Sequence, residues 1–134
     1  MSAREQLHGR IVDALRADAS LGNALNAVLD APQPKAARPY ALVEEPIGSD
    51  WGTVDAEGRE FRVAVQLRFG SVHSEAIRRL ADAVEAVIAK MPSALGDDWK
   101  IISRRLMRTR IQRESSDRWV THTEFRPRVL RIAA

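Results

Sequence analysis

The stretch "FRVAVQLRF", residues 61–69, alternates apolar and polar side chains along its whole length. Because successive side chains of a β-strand point to opposite faces, this alternation predicts a strand with one apolar and one polar face. Parallel strands that are buried on both faces lose their polar half, so the stretch favours an antiparallel sheet covered on one side only. The apolar side chains of the predicted strand are Phe61, Val63, Val65, Leu67 and Phe69.

An amphipathic helix follows this strand after a short polar turn. Its apolar residues recur at helical spacing from Ile77 to Met91, between a capping Ser74 and a terminating Pro92. The apolar stripe of this helix matches the apolar face of the strand, so we expect the two to pack together.

The remaining periodic segments complete the predicted order. A first amphipathic helix is predicted over residues 3–17, a short second one from Ser20, and a strand at "YALVEE", residues 40–45. Two β-rich runs, residues 99–114 and 118–132, predict a hairpin. The order α-(α)-β-β-α-β-β predicts an α+β fold with a four-stranded antiparallel sheet and two main helices packed on one face.

Length and composition limit the class of protein. The chain has 134 residues, 45% of them apolar, and we expect one domain over residues 1–134 with a long loop at 47–58. The absence of cysteine excludes disulfides and cysteine nucleophiles. Charged residues interrupt the N-terminus, and no run approaches the roughly 18 apolar residues of a membrane span, so we expect the protein to be made and kept in the cytoplasm.

Charge is divided unevenly along the chain. Residues 1–99 hold 11 Lys and Arg against 15 Asp and Glu, whereas residues 100–134 hold 10 against 3. Much of the basic excess lies in "SRRLMRTRIQRE", residues 103–114. Because successive side chains of a strand point to opposite faces, Arg105 is predicted on one face of this run and a basic stripe of arginines on the opposite face. The second strand of the predicted hairpin extends this stripe. The predicted arginine stripe consists of Arg104, Arg108, Arg110, Arg126 and Arg128.

Three interpretations of the stripe stay open at this point. It is a solvated strand face, a nucleic-acid-binding surface within residues 104–131, or a contact between proteins. Aromatic residues make up 5% of the chain, which argues against a base-stacking surface. A chain with one acidic and one basic portion can associate head to tail, and such a contact forms a ring when it closes.

The sequence presents no candidate catalytic, cofactor-binding or metal-ligating residue. "GSDWG", residues 48–52, lacks the nucleophile-elbow pattern and follows no phosphate-loop spacing. The three histidines fit no metal-ligand spacing, and the adjacent Glu44 and Glu45 point to opposite faces of their strand, so they cannot share a proton. We therefore expect neither an enzyme nor a cofactor.

Several motifs resemble the tail-completion, or tail-terminator, proteins of phages and gene transfer agents, and the resemblance covers most of the chain. They are "DAP" followed by "PYALVEE", the pair Asp50-Trp51 before "GRE" at residues 58–60, and the C-terminal "RWVTHTEFRPRV". The resemblance implies a ring, typically a hexamer, that caps the finished tail tube and joins it to the head-side connector. Implied partners are other copies of the chain, the tail tube protein and the head-tail connector protein.

The resemblance also implies a location and a set of candidate interface residues. The protein would be made in the bacterial cytoplasm and incorporated at the head-tail junction, with DNA only passing through the ring and no membrane involved. From the division of charge along the chain, we expect much of the arginine stripe to pair with carboxylates of a neighbouring subunit or of an adjacent ring. Trp51 either anchors a subunit contact or covers the core of its own domain. The candidate acidic partners are Glu44, Glu45, Asp50, Asp55 and Glu57.

Overall fold

The computed structural model describes residues 1–132, so the last two residues of the domain predicted over 1–134 lie outside the described part. Its helices are α1 (Ala3–Ala17), α2 (Ala19–Ala24) and α3 (Ser74–Lys90). Its strands are β1 (Val28–Leu29), β2 (Tyr40–Val43), β3 (Ile47–Asp50), β4 (Gly58–Phe69), β5 (Ala94–Leu95), β6 (Trp99–Ser115) and β7 (Arg118–Arg131).

The strands form one sheet in the order β1-β2-β4-β7-β6-β5, and β3 pairs with β4 on the side where β2 also pairs. β1 is parallel to β2, and the other neighbours are antiparallel. The predicted α+β class is confirmed, but the predicted count of four strands is wrong, because residues 1–132 contribute seven. The three additional strands, β1, β3 and β5, have only two, four and two residues, which is too short for periodicity to reveal.

One apolar face of β4 organises the core. The five apolar residues predicted to share a face are buried on the same side, and Val63 lies opposite Phe125 of β7. Burial of each such side chain contributes about 1.5–3 kcal/mol to the free energy of unfolding, relative to leaving it exposed to water. Helix side chains buried in the same cluster are Leu7, Ile11, Leu15, Leu21, Ile77, Val84 and Ile88. All three helices therefore pack on one face of the sheet, and we call the other side, which carries Glu60, Ala64 and Gln66 of β4, the open face.

The helix ends agree closely with the sequence. α1 spans the predicted residues 3–17, and the Ser2 hydroxyl accepts a hydrogen bond from the Glu5 N–H at 3.2 Å. α3 begins at the predicted Ser74, but His73 occupies the capping position and its side chain makes no capping hydrogen bond. The predicted cap is therefore one residue late.

The predicted loop at residues 47–58 contains a strand. Ile47–Asp50 pairs with the beginning of β4, so the irregular segment is limited to residues 51–57. Gly48 is required at this close approach, since a Cβ atom there would lie 2.8 Å from the Phe61 ring. The acidic loop residues are thus held at one edge of the sheet.

Candidate assembly interface

Two β-bulges in β6 change the faces on which its arginines lie. The register with β7 shifts between Ile101 and Ser103 and again between Leu106 and Arg108. A bulge inserts one extra residue into a strand, so the side chains beyond it point to the opposite face. The simple parity used to predict the arginine stripe is therefore wrong for part of β6.

Arg104 lies on the covered face, opposite Pro127 of β7. Pro127 belongs to the buried row that also contains Phe125 and Val129. Arg105, which parity placed apart from the stripe, lies instead on the open face, opposite Arg126. The arginines of β6 and β7 that share the open face are Arg105, Arg108, Arg110, Arg118, Arg126 and Arg128.

The Arg104 side chain binds the C-terminal end of α3. Its guanidinium donates to the Ile88 carbonyl at 3.0 Å, to the Met91 carbonyl and to the Ser93 hydroxyl at 2.9 Å. A cation at this position also interacts favourably with the helix dipole, and partial burial lowers the pKa of Arg104. Arg104 is thus engaged inside the chain, and we remove it from the candidate interface.

Glu60 lies between two arginines of the open face. Its carboxylate accepts a hydrogen bond from Arg128 Nε at 2.7 Å, and its other oxygen is 3.9 Å from Arg126 Nε. The hydrogen bond from Arg128 holds the pKa of Glu60 below its ordinary value, partial burial opposes this effect, and the charge of Arg126 adds to it. The sequence prediction missed Glu60, although continuing the β4 alternation back to Gly58 places it on the polar face.

The other open-face arginines make weaker or fewer side-chain contacts within the chain. Arg108 Nη2 lies 3.4 Å from the Glu124 carboxylate, in an exposed pair that contributes little to stability. Arg105 and Arg110 are exposed, and their side chains make no hydrogen bond or ion pair within residues 1–132. The structure therefore leaves these two side chains, at the outer strand of the sheet, available to a partner.

The five predicted acidic residues lie at the opposite side of the sheet, between the end of β2 and the start of β4. Glu44 accepts a hydrogen bond from Gln66 Nε2 at 3.0 Å, and Glu57 pairs with Arg131 at 3.1 Å. None of the five forms an ion pair with an arginine of the predicted stripe inside residues 1–132. Glu45 and Asp55 are exposed.

Trp51 is half-buried against its own sheet. Its ring lies against Gly58, where an added Cβ atom would be 3.1 Å from ring carbon Cε3, and the Arg128 guanidinium lies 5.1 Å from the ring centroid. Its backbone N–H donates to the Gly58 carbonyl at 3.0 Å. The ring thus packs against the open face of its own sheet, beside Arg128, and lies outside the buried apolar cluster of residues 1–132.

Besides the outer edges of the two-residue strands β1 and β5, two longer strand edges lack a partner strand within residues 1–132. The outer side of β6 pairs with β5 only at Trp99 and Lys100, and the outer side of β3 pairs with nothing described. Four of the nine exposed large apolar side chains of the described chain lie on β6, and a fifth, Ile47, begins β3. Unprotected edges of this kind are templates for pairing with another chain. The β6 residues concerned are Ile102, Leu106, Met107 and Ile111.

The open face holds a shallow groove of about 430 Å³ that is lined by both carboxylates and arginines, Glu44, Glu45 and Arg108 among them. No group of three or more His, Asp or Glu side chains within residues 1–132 is placed to hold a metal ion. None of the helices in this part of the chain is long and apolar enough to cross a membrane.

Comparisons with known proteins agree with this architecture. The family model of tail completion protein gp17 matches residues 9–129. A chain in a solved structure described as the virion of native gene transfer agent (GTA) particle is 18% identical and has a TM-score of 0.69, over 97% of this chain and 99% of that chain. At this identity the likeness shows a shared fold. No curated protein sequence matches significantly.

The family match defines the class of protein, a structural protein of tail completion. The chain belongs to the tail completion protein gp17 family, whose model covers well over half of its length. The predicted family is thereby confirmed, and with it the class of a structural tail protein.

Replacing Arg104 tests its role as an internal helix cap. Arg104→Ala should lower the free energy of unfolding by about 1.5–3 kcal/mol, because carbonyl groups at the end of α3 lose a charged donor. Arg110→Ala, on the same strand but exposed, should change it by less than about 0.5 kcal/mol. Urea unfolding of the two variants measures this difference, and equal stabilities would contradict the cap.

The ion pairs of Glu60 predict a dependence of stability on pH. Because the folded-state pKa of Glu60 is lowered, its contribution is present above the ordinary glutamate pKa and is lost as the pH falls through the lowered value. Glu60→Gln should therefore be less stable than the wild type at neutral pH and should lose less stability on acidification. Urea unfolding at a series of pH values measures this, with exposed Glu45→Gln as the control. A Glu60→Gln profile parallel to that of the wild type would show that the pairs contribute nothing.

Proposed function

We propose that this chain forms a ring that ends the tail tube and joins it to the head-side connector of a phage or gene transfer agent particle. The observation that carries the proposal is the tail completion family match over residues 9–129. The whole chain acts as one domain in this proposal. The ring is a hexamer made of copies of the chain, and its further partners are the tail tube protein and the connector protein.

The charge distribution supports assembly between proteins. Residues 44–57 contain five acids and no basic residue, whereas residues 103–114 contain five arginines and one glutamate. The two segments lie at opposite edges of one sheet. A rigid unit with opposite charges at its two ends favours head-to-tail contacts, and such contacts form a ring when the rotation between copies closes.

The nucleic-acid alternative receives less support from the open face. Two of its arginines, Arg126 and Arg128, already share the carboxylate of Glu60, and Arg108 lies beside Glu124. Arg104 is bound to α3. Fewer unneutralised arginines than the sequence suggests are therefore left to bind phosphates. This fits a ring through which DNA passes without being held.

A ring that stops tube growth must present one face to the tube and another to the connector. We propose that the protein is made in the bacterial cytoplasm and is added at the head-tail junction once the tube has reached its length. It turns over no substrate, and its action is to replace the growing end of the tube by a surface on which the tube protein cannot add.

Deleting the gene in cells that produce the particle tests the proposed function. Electron microscopy should then show heads that are not joined to tails, together with tubes of irregular length. Expression of the intact chain from a plasmid should restore joined particles. Normal joined particles in the deletion strain would contradict the function.

A further inference from the structure

The two unpaired edges have directions that suit each other. Going across the sheet, β3 is antiparallel to β4, β4 to β7, and β7 to β6. Three reversals leave β3 antiparallel to β6. Two copies related by a rotation about an axis along the strands would therefore place β6 of one copy antiparallel to β3 of the next. Antiparallel pairing is slightly the more stable arrangement of neighbouring strands.

Charge selects this pairing over a symmetric one. A contact between two β6 edges would bring two arginine-rich segments together, each with five arginines and one glutamate in residues 103–114. Like charges directly opposite each other destabilise a strand pair. A contact between β6 and β3 instead brings the arginines beside Glu45 and Asp50, and bidentate arginine–carboxylate pairs are strong and directional.

Apolar side chains accompany the charges at both edges. Ile47 of β3 is 71% exposed, and Ile111 of β6 is 37% exposed. Removing apolar surface from water is favourable by about 25 cal/mol for each Å². Burial of these side chains between copies would therefore stabilise the contact in addition to the hydrogen bonds of a strand pair. A protein that stayed alone would expose these residues on unprotected edges.

The bulges of β6 limit where the partner strand fits. The bulge at residues 101–103 lies where Ser93 contacts the strand, since the Ile101 N–H donates to the Ser93 carbonyl at 2.7 Å. Beyond the second bulge, residues 108–113 pair regularly with β7 and have no strand on their outer side within residues 1–132. This regular stretch is long enough for the four residues of β3.

We propose that copies of this chain join head to tail through their sheet edges, with residues 108–113 of β6 in one copy pairing antiparallel with β3 of the next. This proposal rests on the proposed ring and specifies its subunit contact. Arg110 of one copy then lies on the open face near Glu45 of its neighbour. Each added copy extends the sheet by one more set of strands until the ring closes.

Cross-linking between engineered cysteines tests the pairing, because the natural chain contains no cysteine. Ser49→Cys on β3 and Gln112→Cys on β6 both lie on the open face, opposite Glu60 and Val120 respectively. A short bismaleimide reagent joins two thiols even when the register differs by a residue. It is applied to the purified protein over a range of concentrations and to particles from producing cells.

The variant with both cysteines should give a ladder of covalent dimers, trimers and larger species, whereas each single-cysteine variant should give none. A matched control combines Ser49→Cys with Arg79→Cys, which is exposed on α3 and should not form a ladder. Dimers from Gln112→Cys alone would overturn the proposal in favour of a symmetric β6 contact. A ladder from the control pair would overturn it as well.

The same experiment separates the edge pairing from the proposed function. Particles that contain the double variant but yield no ladder would overturn the pairing and leave the tail function standing. A chain that is missing from purified particles would contradict the tail function, and the ladder from the purified protein would then decide the pairing alone. No ladder in either preparation overturns the pairing.

Discussion

The apolar row of β4, packed between β7 and the three helices, is the contact on which the rest of the structure depends. Because every second residue of β4 points into this core, the helices are confined to one side of the sheet. The other side remains in water and accommodates the ion pairs of Glu60 with Arg126 and Arg128. The outer sides of β3 and of β6 beyond Lys100 have no partner strand within residues 1–132, which is what a subunit needs if it is to extend a sheet into a neighbour.

Much of the fold was predictable because its main elements are long and periodic. The alternation in residues 61–69 and the helical spacing of α1 and α3 each reflect one local rule, and the structure places these elements within a residue or a few of the prediction. The count of four strands was wrong because β1, β3 and β5 form only when a longer neighbour provides hydrogen bonds. Two to four residues carry no periodicity of their own.

The candidate interface was predicted only in outline. The separation of acidic and basic segments can be read from the sequence, and the structure places them at opposite sheet edges. The faces of individual arginines could not be read, because two bulges in β6 arise from its pairing with β7 and shift the parity of Arg104 and Arg105. Arg104 therefore proved to be a cap for α3, and the internal partner Glu60 was missed because it precedes the most regular part of the β4 pattern.

The most direct test of the account is an electron cryo-microscopy map of the head-tail junction of the particle. We expect a ring of this chain at the end of the tube, in which the β6 edge of each copy continues into β3 of the next and the helices α1 and α3 stay outside the subunit contact. A ring held together through its helices, with the β6 edge facing solvent, would contradict the central claim that the two sheet edges build the assembly.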